Sequence, residues 1–294
     1  MANTFNFCNF VFMWHVSFIF LGLFNFSDLS ISNDDVGENI DVIALIITRW
    51  NGVKSRNALR QMFSTISNTV LNFKPIFIFG IDSQIIDDEK VLNGIFEENE
   101  NNRDLLLPNV EDNYHTVALK LLSGFHWIYS LKRTNLKWII KLDDDIFVNI
   151  TKFDEYFSQK SINSETFHCT EFPGMPVQRD PENKWFISEM EWLKESYPTY
   201  CSGSAYVLTP NIGQKLFDTF LNTFRENYIW IEDAYITGIL ADLAYINRTY
   251  VGNMVYFENI TKYSDFFTAH PYNFIEEPKS ASERLKLWQQ LFDQ

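Results

Sequence analysis

Cysteine is scarce. Three cysteines in 294 residues cannot form a disulfide framework that stands in for a hydrophobic core. Cys8 lies in an apolar N-terminal run, so Cys169 and Cys201 are the candidate intradomain pair; a bridge between them and two separate buried thiols both fit the sequence. Basic residues are also few. Lys and Arg number 24 against 38 Asp and Glu, giving a formal charge of -14 with no dense basic stripe, which argues against a nucleic-acid phosphate backbone as partner. The chain has no G-x-x-x-x-G-K-[ST] loop, no internal repeat, no low-complexity linker and no heptad run. Apolar side chains are plentiful, at 46% hydrophobic and 17% aromatic, enough to bury a full core. Disordered and fibrous classes are thereby excluded, and one compact α/β unit suits the length.

The first 27 residues carry no charged side chain, and residues 7–26 (FCNFVFMWHVSFIFLGLFNF) are long enough for a helix crossing ~30 Å of hydrocarbon. No Lys or Arg precedes the run, while Asp28, Asp34, Asp35 and Glu38 crowd its far flank, an asymmetry that keeps the N-terminus cytosolic. The resulting division is a short cytosolic N-terminus (1–6), a signal anchor (7–26), a short stem (27–40) and a folded domain (41–294). A buried hydrophobic N-terminal helix is the alternative. Four N-x-S/T sequons, at Asn25, Asn149, Asn247 and Asn259, agree with entry into the secretory pathway, and Asn247 and Asn259 are the two expected to carry glycan.

From residue 41 strands and helices alternate. DVIALIIT (41–48) reads as a strand buried on both faces, and Leu59, Phe63, Ile66 and Val70 give a helix over 56–71. PIFIFGI (75–81) is a second strand, followed by a helix over 85–99, a short strand over 104–107, a helix over 113–131 and a third long strand, KWIIKL (137–142). This succession predicts an α/β fold with a mostly parallel central sheet, the architecture of nucleotide-binding domains. Further on, strands are expected near 184–187 and 205–208, helices near 211–225 and 233–243, and an amphipathic helix at 281–292.

Three segments carry chemistry. In WIIKLDDDIFVN, Asp143, Asp144 and Asp145 follow a buried strand. Adjacent carboxylates at the carboxyl end of such a strand repel one another, and a hard divalent cation, Mg²⁺ or Mn²⁺, is the simplest way to stabilise them. A solvated acidic turn capping the next helix is the alternative. In IWIEDAYITGIL, Glu232 and Asp233 stand at a helix start, where a carboxylate caps the helix or serves as a general base toward a hydroxyl. In ESYPTYCSGSAYVLTP, Tyr197 and Tyr200 offer flat surfaces for sugar rings and Gly203 permits close backbone approach, although a ligand-free Pro-aromatic loop has the same pattern.

In their order and spacing these segments resemble the β-1,3-galactosyltransferase family, glycosyltransferase family 31. SRNALRQMF is similar to the family's R-x-x-I-R-x-T-W element, EDAYITG to its E-D-V-Y-x-G, and RDPENKW and YPTYCSGSAYVLT fall between them. The resemblance spans about residues 41–292. It implies a GT-A-type nucleotide-sugar-binding fold and inverting transfer of galactose or N-acetylhexosamine from a UDP-sugar to a glycan of a glycoprotein or glycolipid, in the Golgi lumen. By the same resemblance Asp145 and His270 (in FFTAHPYN) hold Mn²⁺ or Mg²⁺, and Asp143, Asp144, Arg56 and Lys120 bind the donor. Trp185, Tyr200, Gly203 and Glu232 meet the acceptor, and Asp233 is the base. The rival reading is a catalytically silent secreted carbohydrate-binding protein with the same fold.

Overall fold

The computed structural model describes residues 30–64, 69–81, 85, 87–162, 165–252, 254–256, 267–269 and 280–292. Strand β1 (Val42–Ile47) is followed by α1 (Val53–Ser64), β2 (Phe73–Ile78), α2 (Glu89–Asn102), the short β3 (Leu105–Leu106), α3 (Val117–Ser130) and β4 (Trp138–Asp143). Next come β5 (Phe147–Val148), α4 (Ile150–Phe157), β6 (Thr166–Phe172), β7 (Tyr200–Leu208) and α5 (Pro210–Asn227). A π-helix (Ala234–Leu240) runs into the single turn α6 (Ala241–Leu243), before β8 (Asn247–Tyr250), β9 (Val255–Tyr256), β10 (Thr268–Ala269) and α7 (Ala281–Phe292).

Seven strands form one sheet in the order β3-β2-β1-β4-β7-β6-β8. The block β3-β2-β1-β4 is parallel, β7 runs antiparallel to both neighbours, and β8 is again parallel to β6. β1 is apolar at every position because both faces of the sheet are covered. Ile43 and Leu45 pack with Ile76, Ile78, Leu121, Phe125 and Phe220 on one side. Val42, Ala44 and Ile46 pack with Leu59, Met62, Phe153 and Trp288 on the other. The C-terminal amphipathic helix docks as its spacing predicts, with Trp288 buried and its indole N–H donating to Val148 O at 2.9 Å. A second, small sheet has the order β5-β10-β9.

Several expectations need correction. Helix α1 is described over Val53–Ser64, and residues 69–71 are not helical, so it does not reach residue 71. Residues 184–187 are turn and loop, not a strand: Asn183 N donates to Asp180 O at 3.0 Å and Phe186 N to Asn183 O at 3.1 Å, local turn bonds in place of a ladder, and Arg179 donates to the Ile187 carbonyl at 2.7 Å. Residues 30–40, expected as stem, pack on the domain: Ile31 and Val36 are buried, Ile31 N donates to Leu105 O at 2.8 Å, and Arg133 donates to the carbonyls of Asn33 and Gly37. The proposed anchor at 7–26 lies outside the described residues, and among those described no helix is long and apolar enough to cross a membrane.

Candidate active site

In the parallel block the chain leaves β1 toward β2 and later returns to β4 on the other side of β1, so the order reverses between β1 and β4. A crevice opens at the carboxyl ends of strands flanking such a reversal. Here the register pairs Ile47 at the end of β1 with Asp143 at the end of β4. A cavity of about 1090 Å³ lies at this point, lined by residues 47–51 and Asp143, Asp144 and Asp145 and reaching Gly203, Glu232 and Asp233.

The three aspartates differ in surroundings. Asp144 accepts a 2.6 Å hydrogen bond from the Thr48 hydroxyl, which ties the two strand ends together; burial nonetheless raises its pKa. Asp143 pairs with Lys141 at 2.7 Å, since residues two apart on a strand share a face. Asp145 is exposed and accepts no hydrogen bond among the described residues. A free hard-oxygen carboxylate at the cavity wall, beside two more, fits a divalent cation. The second expected ligand, His270, lies outside the described residues, among which no group of three metal-ligating side chains forms.

Lys141 joins this triplet to the other half of the site. Its fully enclosed ammonium also donates to the Gly203 carbonyl and lies 3.4 Å from Glu232 Oε2, and the two acids together outweigh desolvation and raise its pKa. Gly203 is presented by an irregularity in β7. Cys169 pairs with Tyr206 but Glu171 with Cys201, so residues 202–205 drop out of the pairing with β6 while Ala205 still pairs with Leu142 of β4, and Ser202, Gly203 and Ser204 line the cavity. Cys169 and Cys201 are disulfide-bonded at the base of this bulge.

Asp233 caps the π-helix, its Oδ1 accepting from Ala234 N at 2.8 Å. Oδ2 and Cβ lie against Gly203, where an added Cβ would meet them at 3.1 and 3.2 Å. Burial raises its pKa, opposed by the Ala234 hydrogen bond and Lys141. Glu232 accepts from the Tyr206 hydroxyl at 2.7 Å while its other oxygen faces Lys141; burial pushes it up to about 7. Both Glu232 oxygens are thus engaged within the cavity wall that the residue helps to line. The wide π turn frees carbonyls, and Arg248 fills that gap by donating to Thr237 O at 2.6 Å and Gly238 O at 2.9 Å.

Of the other expected residues, Tyr200 and Trp185 line the cavity, and Lys120 does so while paired with Asp112 at 2.7 Å. Trp185 is half exposed; its indole N–H donates to the Tyr114 hydroxyl at 3.2 Å, and Tyr114 meets Trp230 edge-on at 5.6 Å. Arg56 is a correction. It does not line the cavity but is wholly buried, paired with Glu98 at 2.6 Å, and it donates to the carbonyls of Arg49 (2.5 Å) and Trp50 (3.1 Å). Arg56 thereby shapes the β1–α1 loop that forms one lip of the site. Sequence reasoning overlooked Lys141, Thr48 and Tyr206. The signal for Lys141 was there, a lone charge inside a strand buried on both faces.

The galactosyltransferase family profile ("Galactosyl_T: Galactosyltransferase") matches residues 54–251, enclosing the triplet, the bulge and the Glu232–Asp233 pair. This chain belongs to that family. It is 28% identical over 221 residues to lactosylceramide 1,3-N-acetyl-beta-D-glucosaminyltransferase of Xenopus tropicalis, covering 72% of this chain and 57% of the relative. It is 25% identical over 263 residues to human beta-1,3-galactosyltransferase 2, covering 85% and 58%. The chain thus spans somewhat over half the length of these relatives. A solved structure, the WbbM bifunctional glycosyltransferase in its apo form, superposes with a TM-score of 0.49 at 10% identity, covering 88% of this chain and 52% of that one, a likeness too slight to build on.

Proposed function

We propose that this chain is an inverting, UDP-sugar-dependent β-1,3-glycosyltransferase with a GT-A-type fold, moving galactose or N-acetylhexosamine to a glycan of a glycoprotein or glycolipid. One observation carries the reading: Asp233, a carboxylate with raised pKa, faces the same cavity as the Asp143–Asp145 triplet at the sheet's reversal point. Asp233 accepts the proton of the acceptor hydroxyl as that oxygen attacks the donor's anomeric carbon, and a single displacement inverts the configuration. Asp143, Asp144 and Lys120 orient the donor, while the Trp185, Tyr114 and Tyr200 rings give the acceptor sugar apolar faces to lie against. A divalent cation held by Asp145, and by His270 on the family resemblance, would neutralise the departing diphosphate.

We also place the protein in the Golgi membrane as a single-pass type II chain, with its catalytic domain lumenal. The charge-free segment at 7–26 and the Cys169–Cys201 bond, of a kind that persists in oxidising compartments, support this placement.

The test is a panel of UDP-hexoses with β-linked galactose and N-acetylhexosamine acceptors, run on the full chain with and without Mn²⁺. Transfer from one donor, dependent on Mn²⁺ and lost in Asp145→Asn, is expected. Absence of both transfer and UDP release from every donor in the panel would reject the reading in favour of a silent carbohydrate-binding protein.

A further inference from the structure

Helix α6 ends in a two-bond C-terminal cap: Ile246 N donates to Ala241 O at 2.8 Å and Tyr245 N to Asp242 O at 3.2 Å. The residue between must be left-handed, and glycine is the usual choice. Here it is Tyr245, with φ 53° and 87% exposed, its side chain making no hydrogen bond or ring contact among the described residues. A large aromatic ring stands in water at a position where it gains nothing from the fold and strains the backbone. Two residues on, Asn247 begins β8, the outermost strand of the large sheet, and opens the sequon Asn247-Arg248-Thr249. Ile246 between them is buried, while Tyr245 and Asn247, two residues apart, are both exposed. The Asn247 backbone amide donates to Glu165 O at 3.2 Å, yet its side chain makes no hydrogen bond among the described residues. Asn149 is the contrast: buried, with its side chain accepting from Lys152 N at 2.9 Å as the cap of α4.

We propose that Asn247 carries an N-linked oligosaccharide and that the Tyr245 ring is the surface on which its first sugar lies. This rests on the lumenal placement proposed above. A lumenal transferase would deliver the oligosaccharide from a lipid-linked diphosphate donor. The sugar C1–O bond breaks, the lipid diphosphate leaves with the electron pair, C1 bonds to Nδ2 of Asn247, and one amide proton passes to the transferase. A sugar's axial C–H groups against an aromatic face then bury a ring that the fold leaves bare. The glycan would also shield an edge strand whose flank carries the exposed Tyr250 and Leu243.

The full chain, made in insect secretory cells, is treated with peptide-N-glycosidase in heavy-oxygen water, so that an occupied Asn247 is read by mass spectrometry as labelled aspartate. Thiol blocking of Cys169 and Cys201 reports the compartment independently. Labelled Asn247 with the disulfide formed is the expected result. An unlabelled Asn247 with the disulfide formed overturns the site alone, and an unlabelled Asn247 with free thiols overturns the lumenal placement along with it. For the ring, the wild type should melt roughly 2 °C above Asn247→Gln. That increment should survive in Tyr245→Phe, which keeps the aromatic face, and vanish in Tyr245→Ala. An increment unchanged in Tyr245→Ala overturns the role of the ring.

Discussion

The Lys141 ammonium lies 2.7 Å from Asp143 Oδ1 and is shut off from solvent. Its remaining contacts, with the Gly203 carbonyl and Glu232, make it the link between the carboxyl end of β4 and the segment that holds Asp233. Lys141→Met would leave two carboxylates and a carbonyl without their cation, and breaking a buried pair from one side costs about 3–5 kcal/mol. Adding Glu232→Gln should recover part of that loss, because one stranded charge is then gone. A denaturant double-mutant cycle measures the coupling; strictly additive losses would show that the ammonium and Glu232 do not support one another.

Gly203 touches Asp233 so closely that any side chain at 203 must displace it. In Gly203→Ala the new methyl would stand 3.1 Å from Asp233 Oδ2, inside normal contact distance. The Asp233 carboxylate should shift by a few tenths of an ångström, and if it is the base, as proposed, the expected loss in kcat is roughly 10-fold or more, given the steep dependence of rate on alignment. Donor affinity, assigned by the proposal to the triplet, should hold. Steady-state kinetics beside UDP titration separates the two, and an unchanged kcat would detach Gly203 from the positioning of Asp233.

Much of this was legible in the sequence for a physical reason. Asp143, Asp144 and Asp145 are contiguous, and Glu232 and Asp233 adjacent, so each group was visible without knowing the fold. The β1-to-β4 block is buried on both faces and wrote itself as plain apolar runs. Lys141 pairing with Tyr206 across β4 and β7 is a matter of register between distant segments, and no local pattern reports it. β6, with the sequence TFHCTEF, mixes polar and apolar residues at a bulged pairing and escaped notice, as did the two-residue strands β5, β9 and β10. The π turn after Asp233 was read as α because both bury an apolar stripe of similar spacing. Arg56 is named a donor residue by the resemblance of SRNALRQMF to the family's R-x-x-I-R-x-T-W element; its Glu98 partner, 42 positions away and invisible to that local pattern, holds it in the interior instead.

His168 gives the fold an acid limit. It is buried among Trp138, Tyr156 and Phe157, and neither ring nitrogen finds a partner among the described residues. Burial holds its pKa down to about 4 from 6.5. Below pH 6.5 the unfolded chain takes up a proton that the native state refuses, so stability falls as pH drops from 6.5 toward 4, by an amount on the order of 3 kcal/mol. His168→Leu removes that contribution. Urea melts across this range should show a shallower acid slope for the variant, and parallel slopes would mean that His168 does not set the limit.

Asp233 is both a helix cap and the proposed base, and the two roles carry different signatures. Losing a capping side chain costs about 1 kcal/mol of stability, while losing a general base costs roughly 10²- to 10⁴-fold in turnover. Asn accepts the hydrogen bond from Ala234 N as well as Asp does, so Asp233→Asn should melt near the wild type and bind UDP and Mn²⁺ normally. Transfer should be lost. In the wild type, burial places the carboxyl above an ordinary aspartate, so kcat should fall on the acid side at a pH above 3.8, as protonation removes the base. A variant that keeps more than about a tenth of wild-type turnover lies outside the range for a general base, and would leave Asp233 with its capping role alone.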